Sequence, residues 1–318
     1  MVYRTVNYVS TPNDVADLHF QRDPMIWDVI ALGETMVVLA PPVGQSFRNA
    51  GTVLVDHAGA ESNTCVGLAR LGFRVAWISR LGTDSAGDRI LDALAAEGVS
   101  TGWVGRDTHR PTGLMLKDRG VVRYYRTDSA AAALTPASLA GIPVEGARAV
   151  LVTGVTALVG GGPHAAGIEL LTRAKGLRIV DPNLRDGLWG SARRRELVRE
   201  FIVRSDLLLG GAAELRELAG GTDDQDAARR SMECGPREVV VRGERSIGVL
   251  HEGVWHSIAI ERREAVDPIG AGDAFNAGYL AVRLRNGTIE DALHAGVRCG
   301  AAVTTTLSDT SAFPRSLA

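Results

Sequence analysis

Six short apolar runs recur along the chain, each closed by glycine or a polar turn: WDVIALG from Trp27, VAWISRLG from Val75, ARAVLVTGV from Ala147, LRIVDPN from Leu177, SDLLLGG from Ser205 and REVVVRG from Arg237. Their length and apolar continuity predict strands buried on both faces. Between most of them the apolar positions change to helical spacing, in NTCVGLARLG, SAGDRILDALAAEG, HAAGIELLTRAKG, SARRRELVREFIVR and DAARRSMECG. This alternation predicts an α/β fold with a parallel sheet between helical layers, right-handed crossovers, and ligands gathered at the carboxyl ends of the strands. Two stretches break the rhythm. MVVLAPPVGQSFRNAGTVLVDHAG and RPTGLMLKDRGVVRYYRTDSA carry prolines and alternating polar residues. They predict strands and turns of antiparallel type, forming a small β lid from about 36–57 and 110–130 that excludes water when it closes. A single domain from residue 28 onward is expected. Residues 1–27 read as an extension outside it, and removal of 2–24 is expected to leave activity and solubility intact.

Composition narrows the field. With 318 residues, 45% hydrophobic, 23% charged and a formal net charge of -2, the chain fits a soluble protein with a sizeable core and offers no field for nucleic acid. Arg193, Arg194 and Arg195 form a cluster, but Glu196 and Glu200 follow at helical spacing, as on a solvated helix face. No stretch has the apolar length of a membrane span, and Asn7, Asn13, Asp14, Asp17 and Arg22 interrupt any signal-peptide core. Cys65, Cys234 and Cys299 form no CxxC pair, so neither a disulfide framework nor a zinc cluster is indicated and a reducing cytoplasm is expected.

The chemistry concentrates in EAVDPIGAGDAFNAGYLAVRLR, residues 264–285. Phe275, Gly278, Tyr279 and Val282 fall at helical spacing, which places Gly270, Ala271, Gly272 and Asp273 at a helix N-terminus. Asp273 there is either a cap for free backbone N–H groups or a group for proton chemistry beside a glycine turn that binds phosphate. The sequence contains no GxxxxGK[ST] loop, no GxGxxG after the first strand, no HExxH and no GxSxG elbow. P-loop kinases, dinucleotide dehydrogenases, zincins and serine hydrolases are thereby disfavoured.

DPIGAGDAFNAGYL resembles the second signature, D-T-x-G-A-G-D, of the ribokinase-like, PfkB-type carbohydrate kinases. AGAESNTCVGLARLG from Ala58 is similar to that family's Gly-Gly-x-x-x-Asn segment, and RLGTDSAGDRI from Arg80 to its R-x-G-x-D-x-x-G continuation. The likeness runs over residues 28–313. Within the family, GETMVVLAPP, YYRTDSAAAAL and DPNLRDGLW are similar to segments of 2-keto-3-deoxygluconate kinases.

The resemblance implies a ribokinase-like three-layer α/β/α sandwich with a mostly parallel sheet and a β lid. It also implies transfer of the ATP γ-phosphoryl group to a sugar-acid hydroxyl, 2-keto-3-deoxygluconate giving its 6-phosphate. Asp273 would be the base, and the amides of Gly270, Ala271 and Gly272 would stabilise phosphoryl charge. Beside those N–H groups its pKa is expected to be low in the empty enzyme. Gly59, Asn63, Tyr124, Arg126 and Arg185 would meet the sugar, and Arg242 and Gly243 the nucleotide. Glu214 would hold Mg2+ through water, and a monovalent cation near Asp267 is a further option.

Blander roles remain open at this stage. Arg126 and Arg185 would equally brace the lid as ion pairs, Tyr124 would fill its core, Asn63 would cap a helix and Glu214 would lie on a surface. The chain departs from the family pattern at Ala58, Met115, Gly211, Val297 and Ser246, the last in Gly243-Glu244-Arg245-Ser246 where the family has G-x-x-G. A ribokinase- or fructokinase-type enzyme for neutral sugars is the alternative, and a non-catalytic sugar- or nucleotide-binding regulator is the alternative of another class. The edges of the lid invite a partner copy, as in a homodimer or larger homo-oligomer.

Overall fold

The computed structural model of the chain describes residues 26–185, 188, 190–261 and 265–317. Most of the segment read as an N-terminal extension, 1–25, lies outside the described residues, as do Asp186, Gly187 and Trp189 of the DPNLRDGLW stretch. Trp27, grouped with that extension, packs edge-on against Trp103 at 5.3 Å between ring centroids, and its carbonyl accepts a hydrogen bond from the Arg148 amide.

The first strand, β1 (Val29–Leu32), leads into the lid hairpin β2 (Met36–Ala40) and β3 (Leu54–Ala58), and the chain returns through α1 (Ala60–Arg70). Then come β4 (Val75–Gly82), α2 (Ser85–Ala96) and β5 (Ser100–Asp107), followed by the second lid hairpin, β6 (Leu114–Asp118) and β7 (Val121–Tyr125). After short 3-10 turns the alternation resumes with β8 (Ala149–Thr153), α3 (Gly154–Leu158), α4 (Gly161–Arg173), β9 (Leu177–Asp181) and α5 (Ala192–Ile202). β10 (Leu207–Gly211), α6 (Ala212–Ala219), α7 (Asp224–Met232) and β11 (Glu238–Arg242) continue it. The chain finishes with β12 (Ser246–His251), β13 (Val254–Ala259), α8 (Ala271–Arg283) and α9 (Ile289–Val303).

All six expected strands lie in one nine-stranded sheet of order β13-β12-β11-β10-β9-β8-β1-β4-β5, parallel from β11 to β5. The alternation within β1 shows why both faces must be covered. Val29 and Ala31 enter a core shared with α1, α8 and α9, whereas Ile30 and Leu32 enter the opposite core under α4, α5 and α7. Each such aliphatic side chain contributes about 1.5–3 kcal/mol when fully buried. The result is the three-layer sandwich, with the carboxyl ends of β8, β9 and β11 opening toward the lid.

Three features differ from the sequence expectation or add to it. The lid sheet, order β3-β2-β6-β7, joins its two hairpins through a parallel β2–β6 pair, so it is mixed and not purely antiparallel. The antiparallel hairpin β12–β13 extends the sheet beyond β11 around a Glu252-Gly253 turn in which both residues have positive φ. Edge strand β5, interrupted by Gly102 and Gly105 and mostly half-exposed, lacks the apolar run by which the other strands are recognised. Among the described residues, no helix is long and apolar enough to cross a membrane.

Candidate active site

Helix α8 begins at Gly270, whose φ of 86° lies in the left-handed region. A Cβ there would stand 3.0 to 3.1 Å from the Cβ, Cα and carbonyl oxygen of Asp309, so conformation and packing both require glycine. No side chain caps this helix, although Asp84, Ser191, Asp223 and Thr288 cap α2, α5, α7 and α9. The Ala271 N–H turns back to the Pro268 carbonyl at 3.3 Å, and the Gly272 and Asp273 N–H groups that follow have no partner outside the helix among the described residues, which leaves them for an external acceptor.

Asp273, in that first turn, points away from those amides. Its Oδ2 accepts from Asn63 Nδ2 at 2.8 Å, and its Oδ1 accepts from Asn183 Nδ2 at 3.3 Å. The capping role is not the one adopted. With 3% exposure, burial pushes the Asp273 carboxyl up to about 7, against the opposing pull of Arg185 and of the Asn63 amide. This corrects the expectation of a low pKa: loss of water outweighs nearby donors, and the negative charges of Asp181 and Asp309 push in the same direction.

Asn63 reaches this position from α1, where its Oδ1 also accepts from the Gly59 amide at 3.4 Å, so helix bracing and site contact coexist. Gly59, the N-cap of α1, leaves no room for a side chain, since a Cβ would meet the Glu34 carbonyl oxygen at 2.3 Å. Asn183, just past β9, adopts a positive φ of 41°, and its Oδ1 accepts from Arg185 Nε at 2.7 Å. Asn183 thus couples Arg185 to Asp273.

The lid supplies the opposite wall. On β7, Tyr124 turns inward while Tyr125 is 57% exposed, the alternation expected of a strand. The Arg126 guanidinium lies over the Tyr124 ring at 5.1 Å, and its Nε pairs with Glu34 Oε2 at 2.8 Å. Arg126 Nη1 is nevertheless buried without a hydrogen-bond partner among the described residues. Gly59, Asn63, Tyr124, Arg126, Arg185 and Asp273 line one cavity, joined by Glu34, Met115, Asn183 and Asp309.

Toward the carboxyl ends of β9 to β11 a second polar cluster adjoins Asp273. The largely buried Arg242 donates from Nη2 to Asp181 Oδ2 at 3.0 Å and from Nη1 to Asn276 Oδ1 at 2.5 Å, while Asn276 Nδ2 donates to Asp181 Oδ2 at 2.7 Å. A Cβ on Gly272 would sit 3.7 Å from the Arg242 guanidinium, so this cation flanks the glycine turn. Glu214, 3.9 Å from Arg242, accepts from the amides of Gly211 and Leu184, each at 2.7 Å. It is thus a cap of α6 turned into the cluster rather than a plain surface residue, and burial raises its pKa with help from the Asp181 charge. Gly243 lies in the β11–β12 turn, where its amide donates to the Ser246 carbonyl at 3.0 Å and Asp224 leaves no room for a Cβ.

Comparison with known proteins now fits this arrangement to a family. The profile of pfkB family carbohydrate kinases matches residues 28–315. The chain belongs to that family. The kinase is 30% identical to the 2-dehydro-3-deoxygalactonokinase of Haloferax volcanii, over 87% of this chain and 91% of the relative. It is 31% identical to the 2-dehydro-3-deoxygluconokinase of Bacillus subtilis, over 86% and 88%. Among solved structures, a double-mutant fructokinase of Vibrio cholerae O395 bound to fructose, ADP and potassium has the same fold, with a TM-score of 0.81, 23% identity and coverage of 90% of this chain and 95% of the other.

Several residues of the site had no assigned role from sequence. Asp181 and Asn183 stand in the polar DPN turn after an apolar strand, a signal that was legible. Glu34, Lys117 and Asp309 carried no such signal, because their partners are 95, 150 and 246 positions away.

Proposed function

We propose that this kinase phosphorylates a six-carbon 2-keto-3-deoxy sugar acid, gluconate or galactonate in configuration, at its terminal hydroxyl with ATP as donor. The observation that carries the acid preference is Arg126 Nη1, buried and without a hydrogen-bond partner among the described residues, in a cavity that also contains Arg185 and Asp273. A planar, permanently charged guanidinium suits a carboxylate, and an unmet buried donor costs about 1–3 kcal/mol until a ligand satisfies it. The names of the two relatives agree with this chemistry.

In the reaction, the sugar hydroxyl oxygen attacks the γ-phosphorus as its proton passes to Asp273. The bond from that phosphorus to the β–γ bridging oxygen breaks, and ADP leaves with the electron pair. The first-turn amides of α8 and the Arg242 guanidinium lie where they would take up phosphoryl charge. Phosphate charge entering beside Asp273 would raise its proton affinity further, making it a better acceptor once ATP is bound. Magnesium bound with the nucleotide would neutralise its phosphates. Glu214, held by the Gly211 and Leu184 amides, would accept hydrogen bonds from the waters of that ion.

The test is ADP release over a panel of 2-keto-3-deoxygluconate, 2-keto-3-deoxygalactonate, fructose and ribose. A sugar acid is expected to give the highest kcat/KM. Arg126→Ala and Arg185→Ala should raise KM for the acid at least about tenfold more than for a neutral sugar, that is by about 1.4 kcal/mol. Equal effects on both classes would favour a neutral-sugar kinase, and ATP binding with no turnover on any sugar would favour a regulator.

A further inference from the structure

Beneath the glycine turn, the Lys117 ammonium is enclosed by oxygen. Its side chain, from β6 of the lid, is 7% exposed, and Nζ donates to Asp267 Oδ2 at 2.8 Å, to Asp309 Oδ1 at 2.5 Å and to the Leu307 carbonyl at 3.3 Å. Burial alone would lower its pKa, but Asp309 and Asp267 outweigh burial and keep the group charged. These oxygens come from the two segments that shape the phosphate turn. Asp267 Oδ1 accepts from the Ile269 amide at 3.0 Å, just before Gly270. Asp309 packs against Gly270, and its Oδ2 accepts at 3.3 Å from the Asn63 amide that also holds Asp273. A monovalent cation beside Asp267 would have to occupy the place of an ammonium that already has three oxygen partners. Such a cation does not fit this chain.

We propose that Lys117 is a tethered replacement for a monovalent cation, a positioning residue that makes the kinase independent of potassium and ammonium. The role has a physical motive. Two carboxylates close to the turn would repel an incoming phosphoryl group and drive each other apart, whereas one buried positive charge joins them and fixes the turn through Ile269 and Gly270. Because the cation is covalently attached, no ion has to be captured from solution at a concentration cost. A cleft of ≈ 300 Å³, bounded by Pro42, Gln45, Arg119 and Val266, reaches Lys117 from outside. A solvated ion therefore has a path to the position if the ammonium is removed.

The inference rests on the phosphotransfer reading for its kinetic part and not for its binding part. In tetramethylammonium buffer, the unaltered kinase is expected to work within about twofold of its rate in 100 mM KCl, and potassium should leave its thermal midpoint unchanged relative to the same concentration of tetramethylammonium chloride. Lys117→Ala should lose at least about a hundredfold in kcat and regain at least about tenfold with potassium or ammonium. Lys117→Met, which fills the space with an apolar chain, should not be rescued. Potassium should also raise the thermal midpoint of Lys117→Ala specifically, a readout that survives if no sugar on the panel is turned over. A saturable activation of the unaltered kinase by potassium beyond about fivefold would overturn the proposal, as would a potassium-specific rise in its midpoint. So would full cation-free activity of Lys117→Ala, or a folded Lys117→Ala that no cation restores or stabilises. If neither variant folds, the cation response of the unaltered kinase decides.

Discussion

As the proposed base, Asp273 would have to hold a proton weakly enough to be free at neutral pH and strongly enough to take one from a hydroxyl. Burial between the Asn63 and Asn183 amides sets that compromise near 7, where a general base is most effective. The deprotonated fraction grows as pH rises, so kcat/KM is expected to climb about tenfold per pH unit below about 7 and to level above it; a flat profile from pH 5.5 to 8 would refute the base role. The same shift acts on stability in a defined direction. Between the ordinary carboxyl value of 3.8 and about 7 the folded protein holds a proton that the unfolded chain releases, so this contribution is complete at low pH and is lost as pH rises through 7. Asp273→Asn should abolish nearly all turnover while ATP still binds; a variant within about tenfold of the parent, about 1.4 kcal/mol of barrier, would exclude proton transfer as this residue's main task. The local pattern made Tyr124 and Arg126 legible as partners, because strand periodicity alone sets their common face. The Glu34 and Lys117 ion pairs were not legible, since the first depends on how the two lid hairpins meet and the second on how the lid sits against the segments around Asp267 and Asp309.

Among the elements, the candidate site is where the first turns of two helices meet. α1 and α8 begin at Gly59 and Gly270 without a side-chain cap, and the Asn63–Asp273 hydrogen bond joins their first turns. Gly270→Ala would force a left-handed residue to carry a Cβ against the Asp309 backbone. A loss of at least about 1–2 kcal/mol is expected, read as a thermal midpoint several degrees lower, together with more than about tenfold lower kcat. Gly161→Ala is the matched control. It opens α4 with no atom within 4 Å of an added Cβ, so stability and turnover should stay within about 1 kcal/mol of the parent. Elements with continuous apolar runs were readable because the pattern itself states that both faces are buried. Strands β5 and β13 occupy the two ends of the sheet, where lower burial weakens that signature.

Across the whole molecule, stability is distributed unevenly between scaffold and lid. The central sheet is held by two extensive cores, whereas the lid's own core consists of Met36, Val38, Ala58 and Met115 with Val122 and Tyr124 at its margin. Amides of β6 and β7 should therefore exchange with solvent at least about tenfold faster than those of β1 and β8, and slow when a sugar acid and a non-hydrolysable ATP analogue bind together; equal protection without ligand would contradict a separable lid. The order of apolar runs and helical periods was sufficient to specify a layered α/β sandwich, because burial on both faces of a strand leaves a local trace in every residue. The Gly-Ala-Gly-Asp turn was likewise visible, since backbone geometry restricts what can stand there. Tertiary packing alone decided the proton affinity of Asp273, the parallel junction inside the lid and the enclosure of Lys117. Each depends on desolvation or on charges brought together from distant parts of the chain, and neither quantity is written in any local window of sequence.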